Sequence, residues 1–528
     1  MRLADVAVIG GGPGGLYAAR LLKLRHPDAD VVVYEQGFPD KTFGFGVGLA
    51  SRTQRNLRTA DAASLDAIVD VAYSHEMSMQ VGDSVARLPQ RNLLAIARTR
   101  LLAVLQEQAE AAGVRLEFGD RREISSIAAD LIVAADGVGS PTRNELADQL
   151  DVTVDTGSGL YLWCGTEFAL PSAIFVPITT AHGTFVAHGY PYEPDRSTFL
   201  IETDETTWRN AGFDRTTEQT AHTDSDEVAL RYLEQAFEGP LAGHALVGNK
   251  TRWTRFRTVK CGSWHRGNVV LLGDAAHTAH YSIGSGTKLA MEDAIALDAA
   301  IAESPDLATA LVAYETQRRP AVAHLQEVAH RSELWWESFA ERLDLPVEQL
   351  LLAYMTRAGK VDLDRYANSA PAVARAGLAA YAGVAPAAVP DAGITSWVLG
   401  RPLEVSHDRY RTRTAEEALR TAPSTALVSV DFDSAWSIDA DALVDNPPRA
   451  ETLWLTGCAE RSAVLTRLDV AERLRRRTGS VVVVEAPRRY SADLAAGLAS
   501  GRTDLVAFTD ELDSAAATPA ELTEEVTV

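Results

Sequence analysis

The stretch that decides the fold is Asp5-Val-Ala-Val-Ile9, followed by Gly10-Gly-Gly-Pro-Gly-Gly15 and then by Leu16-Tyr-Ala-Ala-Arg-Leu-Leu22. A short apolar run, a glycine cluster and a second apolar run predict a buried strand, a tight turn and a helix. This arrangement is typical of the phosphate-binding corner of dinucleotide folds. The chain is therefore predicted to begin with an α/β dinucleotide-binding domain, and a glycine-rich loop in an unrelated α/β protein is the alternative.

The small residues of the turn have separate roles. Gly10 makes the tight turn, Gly12 lets the backbone approach a pyrophosphate, and Gly15 lets the helix pack closely on the strand. Pro13 and Gly14 lie at the start of the helix, where N–H groups without intrahelical partners point at the phosphate.

The second predicted strand ends on an acidic residue. Asp30-Val-Val-Val-Tyr34 is followed by Glu35 and Gln36, and Glu35 comes about twenty positions after the glycine turn, as in dinucleotide folds. A carboxylate at this point can accept hydrogen bonds from ribose hydroxyls and repels a 2′-phosphate.

Length and composition bound the remaining possibilities. A chain of 528 residues is too long for one ordinary core, so at least two domains are expected. The formal net charge of −22 argues against nucleic acid or an anionic membrane as a partner, and the sequence offers no apolar run that could span a bilayer. Cys164, Cys261 and Cys458 lie far apart, so neither a metal site nor a disulfide framework is predicted and a reducing cytoplasm is the expected location.

Two further motifs lie at predicted strand ends. Leu131-Ile-Val-Ala-Ala is followed by Asp136 and Gly137, and Asn268-Val-Val-Leu-Leu is followed by Gly273 and Asp274. Downstream of the second motif, a glycine-containing turn precedes a predicted helix. The turn and the start of the helix comprise Gly284, Ser285, Gly286, Thr287 and Lys288.

With all three motifs in this order, the sequence resembles the single-component flavoprotein aromatic hydroxylases. The resemblance implies a Rossmann-like FAD-binding domain of the hydroxybenzoate hydroxylase type, interleaved with an antiparallel substrate-binding sheet. It also implies FAD as cofactor, NADPH or NADH as a transient reductant, and O2. The expected reaction is hydroxylation of an electron-rich aromatic ring through a flavin C4a-hydroperoxide.

The resemblance also implies roles for particular residues. Asp274 would accept hydrogen bonds from the ribityl chain, and the helix that starts at Gly286 would stabilise negative charge on the flavin. Arg98 would reach the FAD phosphates or ribose, with a solvated helix residue as the alternative. The remaining cofactor-binding positions would be Phe45 and Gly46 in a loop beside the flavin, Asp136 and Gly137 in the turn shared with the nicotinamide, and Gly273, Gly284, Thr287 and Lys288.

A closer resemblance joins the chain to one subfamily, which contains the salicylyl-CoA 5-hydroxylases, 2-aminobenzoyl-CoA relatives and the violacein-pathway hydroxylase. It is carried by Thr42–Val47, Tyr161–Thr166, Ser197–Glu202 and Ala279–Thr287. His280 and Tyr281 replace the paired prolines of the wider family, and Lys288 replaces an asparagine. His280 is the candidate catalytic base, with Tyr281 beside it; a hydrogen-bonded structural histidine is the alternative.

Between the second and third motifs lie β-rich segments that predict the substrate sheet. They are Gly159–Phe168, Ala173–Ile178, Gly183–Tyr190 and Thr198–Thr203. Its candidate substrate residues, for each of which ordinary core packing is the alternative, are Trp163, His188, Tyr190, Trp253 and Phe256. Tyr314–Pro320 is expected to close the hydroxylase core, before a further helix with Trp335 and Trp336.

The predicted domain boundaries follow from these motifs. Residues 1–385 would hold the hydroxylase, with FAD parts at about 1–75, 90–155 and 260–345 and sheet parts at about 76–89 and 156–259. Residues 395–512 would form a small C-terminal α/β domain, and 513–528 a disordered acidic tail.

The C-terminal domain resembles the last units of an old-yellow-enzyme barrel. A closed TIM barrel needs roughly 200 residues or more, and 401–528 is shorter. Glu485-Ala486-Pro487 stands where a glycine loop is expected, and Asp510 stands where an arginine is expected. We expect a truncated TIM-barrel-like remnant without FMN, kept for packing or for assembly of a homo-oligomer.

Three functions remain open from the sequence. The first is the aromatic hydroxylase, acting on a phenol or hydroxypyridine in bacterial secondary metabolism such as a piericidin-like pathway, or alternatively on an aryl-CoA thioester. The second is a flavin halogenase, whose Trp-x-Trp-x-Ile-Pro signature is absent. The third is a non-catalytic FAD-binding protein.

Overall fold

The computed structural model describes residues 1–39, 44–284, 286–405 and 408–509, without the side chains of 90–92 and 408. Thr42, Phe43, Ser285, Asp510 and the predicted tail therefore lie outside the described residues. The chain divides into two compact units. The first comprises Met1–Asp83 and Pro89–Ala340, and the second comprises Ser84–Leu88 and the described chain from Glu341.

The strands are β1 Asp5–Ile9, β2 Asp30–Glu35, β3 Gly46–Leu49, β4 Tyr73–Val81, β5 Ser84–Ala97, β6 Arg115–Phe118, β7 Leu131–Ala134, β8 Val152–Thr156, β9 Leu160–Thr166, β10 Ala173–Thr180, β11 Gly183–Glu193, β12 Arg196–Thr203, β13 Leu246–Val247, β14 Arg257–Cys261, β15 His265–Arg266, β16 Val269–Leu271, β17 Leu403–Val405, β18 Asp408–Tyr410, β19 Thr425–Ser429, β20 Thr452–Thr456, β21 Val481–Pro487 and β22 Leu505–Thr509.

The α-helices are α1 Pro13–Arg25, α2 Ser51–Ala60, α3 Ala62–Val69, α4 Arg98–Ala112, α5 Pro141–Glu145, α6 Ala147–Leu150, α7 Glu205–Asn210, α8 Phe213–Gln219, α9 Glu227–Ala236, α10 Glu238–Leu241, α11 Gly286–Glu303, α12 Leu307–Glu337, α13 Val347–Thr356, α14 Leu363–Ser369, α15 Pro371–Ala382, α16 Ile394–Leu399, α17 Glu417–Arg420, α18 Ile438–Asp445, α19 Arg461–Thr478 and α20 Ser491–Ala499. Single 3₁₀ turns at Gly273–Ala275 and Tyr281–Ile283 also matter for the site.

The first unit contains the predicted dinucleotide sheet. Its strand order is β15-β16-β7-β1-β2-β6, and β16, β7, β1, β2 and β6 are parallel. The central strands are apolar runs because helices cover both faces of the sheet. The carboxyl ends of β1, β7 and β16, which carry the three motifs, therefore meet at one edge.

The second sheet of this unit has the order β13-β9-β12-β11-β10-β4-β5-β3 and is mostly antiparallel. The predicted segments correspond to β9–β12. Side chains alternate between its faces, and one face forms an apolar core with helices of the α7–α10 region. The core residues of β9, β11 and β12 are Leu160, Leu162, Cys164, Phe185, Ala187, Phe199 and Ile201. The intervening residues occupy the other face.

The second unit contains a four-stranded sheet of order β19-β20-β21-β22, in which every neighbouring pair is parallel. Helices α18, α19 and α20 connect successive strands, which is a repeated β-α-β arrangement. The predicted helix-strand-helix-strand rhythm corresponds to α19, β21, α20 and β22. Sequence reasoning missed β19 and β20, the first two strands of this sheet.

The compact division falls at Ala340, whereas the sequence placed the end of the hydroxylase near residue 385. The difference lies in α13–α16, which belong to the second unit. Gln349 on α13 donates to the carbonyl of Ala499 (2.9 Å), and Arg461 donates to the carbonyl of Gly359 (2.7 Å). Within the described chain, every helix is too short or too polar to cross a membrane.

Candidate active site

The glycine turn has the geometry that the sequence predicts. Gly10 has φ +105°, and a side chain there would collide with the carbonyl of Ala135. A side chain at Gly15 would collide with the Gly10 carbonyl, so these two positions need glycine for packing. By contrast, open space surrounds the position that a Gly12 side chain would take. A pyrophosphate could therefore approach the backbone at the N-terminus of α1.

Glu35 is fixed beside this turn. Its carboxylate accepts hydrogen bonds from the backbone N–H groups of Gly11 (2.7 Å) and Gly37 (2.6 Å). The neighbouring Gln36 is exposed. The carboxylate thus has a set position at the end of β2, where a ribose would reach it.

Asp136 fixes the turn between its strand and α5. It accepts from the Ser140 hydroxyl (2.5 Å) and the Thr142 N–H (3.1 Å), and Gly137 turns the chain at φ +81°. Arg143, to which the sequence gave no role, is buried and donates to the carbonyl of Ala275 (3.1 Å). It therefore ties the second motif to the third.

Asp274 and Arg98 carry side-chain polar groups for which the described residues supply no fixed hydrogen-bond partner. Asp274 follows Gly273, and its side chain is accessible although protein surrounds the site; this enclosure raises its pKa, which His277 and Arg98 partly offset. The Nε atom of Arg98 is buried, and the described chain supplies no hydrogen-bond partner for it. A buried polar atom of this kind requires a ligand or water. Both groups therefore fit FAD.

The start of α11 also fits an anionic ring edge. Gly284 has φ +60°, and open space surrounds the positions that side chains at Gly284 and Gly286 would take. Thr287 and Lys288 lie in the first turn of α11, an 18-residue helix whose N–H groups and dipole favour negative charge. Lys288 Nζ lies 4.0 Å from Glu292 Oε1.

A buried network of hydrogen bonds and ion pairs holds the third motif in place. His277 Nε2 lies 2.7 Å from Asp293, which also accepts from the Gly273 N–H (3.0 Å) and from Arg318 Nε (2.8 Å). Burial alone would raise the pKa of Asp293, but His277 and Arg318 outweigh it and lower the pKa. Sequence reasoning missed Asp293 and Arg318, because only the folded structure brings these residues of α11 and α12 against Gly273 and His277.

The segment with Phe45 and Gly46 packs on the second sheet. Gly46 N–H donates to the Thr198 hydroxyl (2.9 Å), and its carbonyl accepts from the Tyr190 hydroxyl (2.8 Å). Phe45 lies against Gly165, where a side chain would meet its ring. Tyr190 thus holds this segment in place.

The predicted substrate residues separate into two groups. Trp163 and His188 lie on the sheet face opposite the apolar core, and Phe256 packs 4.9 Å from the ring of His280. Trp253 lies instead within the apolar core, 5.5 Å from Phe213. The structure therefore does not bring Trp253 to the other candidates, because its ring packs on Phe213 of α8.

A small cavity joins His280 and Tyr281 to residues that sequence reasoning missed. It has a volume of about 30 Å³ and includes Glu202, Glu333 and Glu337 in its lining. The Tyr281 hydroxyl donates to Glu202, which lies 2.8 Å from His188 Nε2. A volume of this size holds one or two waters or a polar ring substituent, not a whole aromatic ring.

Electrostatics assign protonation states around this cavity. Burial opposes ionisation of Glu202, but His188 outweighs it and lowers the pKa of this carboxyl. Burial lowers the pKa of His280, against the opposing effect of Glu333. Burial and Glu202 raise the pKa of Tyr281. At neutral pH the cavity therefore presents an ionised Glu202, a neutral imidazole and an intact phenol.

Comparison with known proteins agrees with this geometry. The FAD binding domain family matches residues 90–329. The salicyloyl-CoA 5-hydroxylase of a Streptomyces species is 41% identical over 67% of this chain and 69% of its own length. The 3-hydroxy-4-methyl-anthranilyl-(aryl-carrier protein) 5-monooxygenase of Streptosporangium sibiricum is 37% identical over 67% of this chain and 95% of its own length.

The fold is shared with a solved structure of 2-methyl-3-hydroxypyridine-5-carboxylic acid oxygenase. That structure is 20% identical, with a TM-score of 0.51 over 68% of this chain and 96% of the other. These matches confirm the predicted fold class, cofactor and reaction class. The chain belongs to the FAD-dependent aromatic monooxygenases, which hydroxylate an aromatic ring with NAD(P)H and O2.

Proposed function

We propose that this monooxygenase hydroxylates a phenol or hydroxypyridine ring that carries no free carboxylate. The observation that carries the proposal is the charge of the cavity beside His280. Its lining contains the carboxylates of Glu202, Glu333 and Glu337, and neither lysine nor arginine is among its described lining residues.

Charge repulsion supports this choice of substrate. Two like charges about 4 Å apart repel by roughly 4 kcal/mol at an effective dielectric constant near 20. An arylcarboxylate placed against Glu202 would meet this repulsion without a cation to offset it. A neutral hydroxyl or amino substituent can instead donate a hydrogen bond to the same carboxylate.

The residues present assign roles for the reaction. FAD, when bound, supplies electron transfer from the nicotinamide and the activation of O2. Asp274, Arg98 and the N-terminus of α11 would hold it. His280, kept neutral by burial, would accept the proton of the ring hydroxyl, and Tyr281 would orient that hydroxyl through its bond to Glu202.

An aryl thioester is the second candidate substrate. Both named relatives above 35% identity act, by their names, on an acyl group joined to CoA or to a carrier protein. A thioester is neutral, so it satisfies the same charge argument. The buried indole N–H of Trp163 has no hydrogen-bond partner among the described residues and could bind an acyl oxygen.

A matched set of ring compounds tests the proposal. The holoenzyme would be mixed with NADPH or NADH and salicylate, salicylamide, 3-hydroxypyridine or salicyloyl-CoA, and products identified by mass spectrometry. We expect hydroxylated salicylamide or hydroxypyridine and little product from salicylate. Salicylate turnover equal to that of salicylamide would contradict the charge argument, and exclusive turnover of salicyloyl-CoA would establish the second candidate.

The second unit receives a separate proposal. Its four parallel strands in sequential order resemble half of a (β/α)₈ barrel, and we propose a barrel remnant without FMN that serves packing or assembly. We also propose a cytoplasmic location, on the basis of three free cysteines. To test the second unit, the protein is refolded in the presence of FAD and FMN. If the refolded protein contained FMN, the proposal of a barrel remnant without FMN would be wrong.

A further inference from the structure

The first turn of α11 carries a cation at a place where helix electrostatics disfavour one. Lys288 is the third residue of this helix, and the first turn contains no acidic residue. The N-terminal end of a helix carries partial positive charge, so a lysine there is unfavourable unless an anion lies nearby. The Lys288 side chain is 12% exposed, although lysine is rarely buried without a partner. The position therefore indicates that an anion binds at the start of α11.

Glu292, the carboxylate that lies next to Lys288, is also held by other groups. Lys288 Nζ lies 4.0 Å from Glu292 Oε1, which is beyond hydrogen-bond distance. The same oxygen accepts a hydrogen bond from Asn56 Nδ2 (2.7 Å), and Arg318 lies 3.7 Å from the other oxygen. Three groups therefore share the Glu292 carboxylate, and its charge neutralises that of Lys288 only in part.

Arg318 extends this contact into a network of four charges. Its Nε donates to Asp293 (2.8 Å), and Asp293 accepts a hydrogen bond from the Gly273 N–H (3.0 Å). The side chains of this α11 charge network are between 0% and 12% exposed, and they are Lys288, Glu292, Arg318 and Asp293. Two cations and two carboxylates balance, so the network is neutral as a unit.

Stability alone does not explain the α11 charge network. Charges are costly to remove from water, and apolar side chains of similar volume often stabilise a protein as well as a buried ion pair does. Natural proteins depart from such rules mainly at functional sites. The network joins Gly273 of the third motif to the start of α11, and both places fit FAD. Its position therefore points to a role in the chemistry of the cofactor.

Reduction changes the charge that the cofactor presents to its site. A hydride carries two electrons from NAD(P)H to oxidised FAD, and the products are NAD(P)+ and the anionic reduced flavin. The N-terminus of α11 favours the added negative charge, and the Lys288 ammonium in the same turn favours it further. The Glu292 carboxylate opposes it. The balance between these two side chains therefore enters the free energy of flavin reduction.

We propose that Lys288 and Glu292 are an opposed pair of charges that sets the reduction potential of the bound flavin. Lys288 stabilises the reduced anion and raises the potential, whereas Glu292 lowers it by holding a negative charge near the ammonium. Asn56 and Arg318 fix the Glu292 carboxylate, so both are positioning residues. The effect is independent of the aromatic substrate, because the potential is measured without one.

The test compares variants of the FAD-loaded protein in the absence of substrate. They are Lys288→Asn, Glu292→Gln, the double variant with both changes, and the control Lys260→Asn. Lys260 is a suitable control because it forms an exposed ion pair with Asp155 on the β8–β14 sheet. Anaerobic reduction alongside a reference dye gives the midpoint potential, and flavin fluorescence gives the affinity for oxidised FAD.

The two single variants should shift the potential in opposite directions. We expect Lys288→Asn to weaken binding of reduced relative to oxidised FAD by about 10-fold, which lowers the potential by about 30 mV for a two-electron couple. Glu292→Gln should raise the potential by a similar amount, because it leaves Lys288 without its opposing charge. The double variant should lie near the wild type, and Lys260→Asn should leave the potential unchanged.

Opposite shifts separate a role of charge from a role in packing, since lost packing gives no reason for opposite signs. Shifts of the same sign, or unchanged potentials in both single variants, would overturn the proposal. So would a shift in Lys260→Asn equal to that in Lys288→Asn. If Lys288→Asn lost its FAD, the sign of the Glu292→Gln shift would decide, and Lys288→Arg, which keeps the charge, should retain the wild-type potential.

Discussion

Asp274 lies at the end of β16 with an accessible carboxylate enclosed by protein. We predict that Asp274→Ala weakens FAD binding by about 10- to 100-fold, because a hydrogen bond to a charged group contributes roughly 1.5–3 kcal/mol. Flavin fluorescence during dialysis measures the affinity. Asp28→Ala, at an exposed surface ion pair, is the matched control. Unchanged affinity in Asp274→Ala would contradict the role.

His280 carries the second prediction at this scale. His280→Ala should keep its FAD and lose about 10²- to 10⁴-fold in hydroxylation rate, as for loss of a general base. Consumed NAD(P)H should then appear as hydrogen peroxide. Product and peroxide are quantified together, and a variant with wild-type rate and coupling would show that His280 is structural.

The pH dependence follows from the same residue. Burial lowers the pKa of His280 below its ordinary value near 6.5. The ring therefore stays neutral as pH falls to 6.5 and loses activity only when pH passes through its lower folded-state pKa. We predict that the acid limb of the hydroxylation profile lies below pH 6.5. An acid limb above pH 7 would contradict this prediction.

Residues of the cofactor turn were accessible to sequence reasoning because strand ends of one parallel sheet meet at one edge. Glu202, Asp293 and Glu333 were not accessible, since only the three-dimensional packing of β12, α11 and α12 brings them to the site. Trp253 was a candidate only because it is aromatic and lies in the predicted sheet. The packing on Phe185 and Phe213 that places it in the core becomes visible only in the folded structure.

Helix α19 buries charged side chains, which is unfavourable unless each charge has a partner. Glu472 is 2% exposed and pairs at 2.6 Å with Arg342, which is 3% exposed. We predict that Glu472→Ala destabilises the second unit by about 3–5 kcal/mol, since it removes the buried carboxylate that pairs with the Arg342 guanidinium. Chemical denaturation measures the change. The double variant Arg342→Met with Glu472→Met should recover most of it, and equal loss in both would contradict this explanation.

Helix α12 continues through a proline, although proline usually ends a helix. The sequence placed a boundary at Pro320, whereas one helix runs from Leu307 to Glu337 with this proline inside it. An interior proline costs roughly 3 kcal/mol or more. Buried residues on both sides, such as Tyr314 and Trp336, hold the helix together through packing. A pattern within one segment carries no information about such packing.

At the scale of the whole molecule, the division at Ala340 predicts how truncations behave. A chain ending at residue 400 keeps α13–α16 but lacks α19, α20 and the parallel sheet on which they pack. It should aggregate, because buried residues of α13 such as Leu350, Leu351 and Leu352 become exposed. A chain ending at residue 340 removes all of the second unit except Ser84–Leu88 and should retain FAD.

Size-exclusion chromatography with flavin absorbance compares the two truncations with the full chain. A soluble, FAD-containing 1–400 chain with unchanged subunit assembly would contradict the assignment of α13–α16 to the second unit. The sequence indicated that the chain has two domains and that the first is an FAD-dependent hydroxylase. It could not locate the boundary, because long-range contacts such as Gln349 with Ala499 determine it.

The absence of a side chain at Gly157 has an evolutionary consequence. Any larger residue there would displace the Glu333 carboxylate that α12 presses against it. Positions 157 and 333 should therefore covary among homologous sequences, with glycine retained wherever glutamate is retained. Lineages that have lost the acid should show relaxed selection at the glycine, so an ancestral reconstruction would date both changes to the same branch.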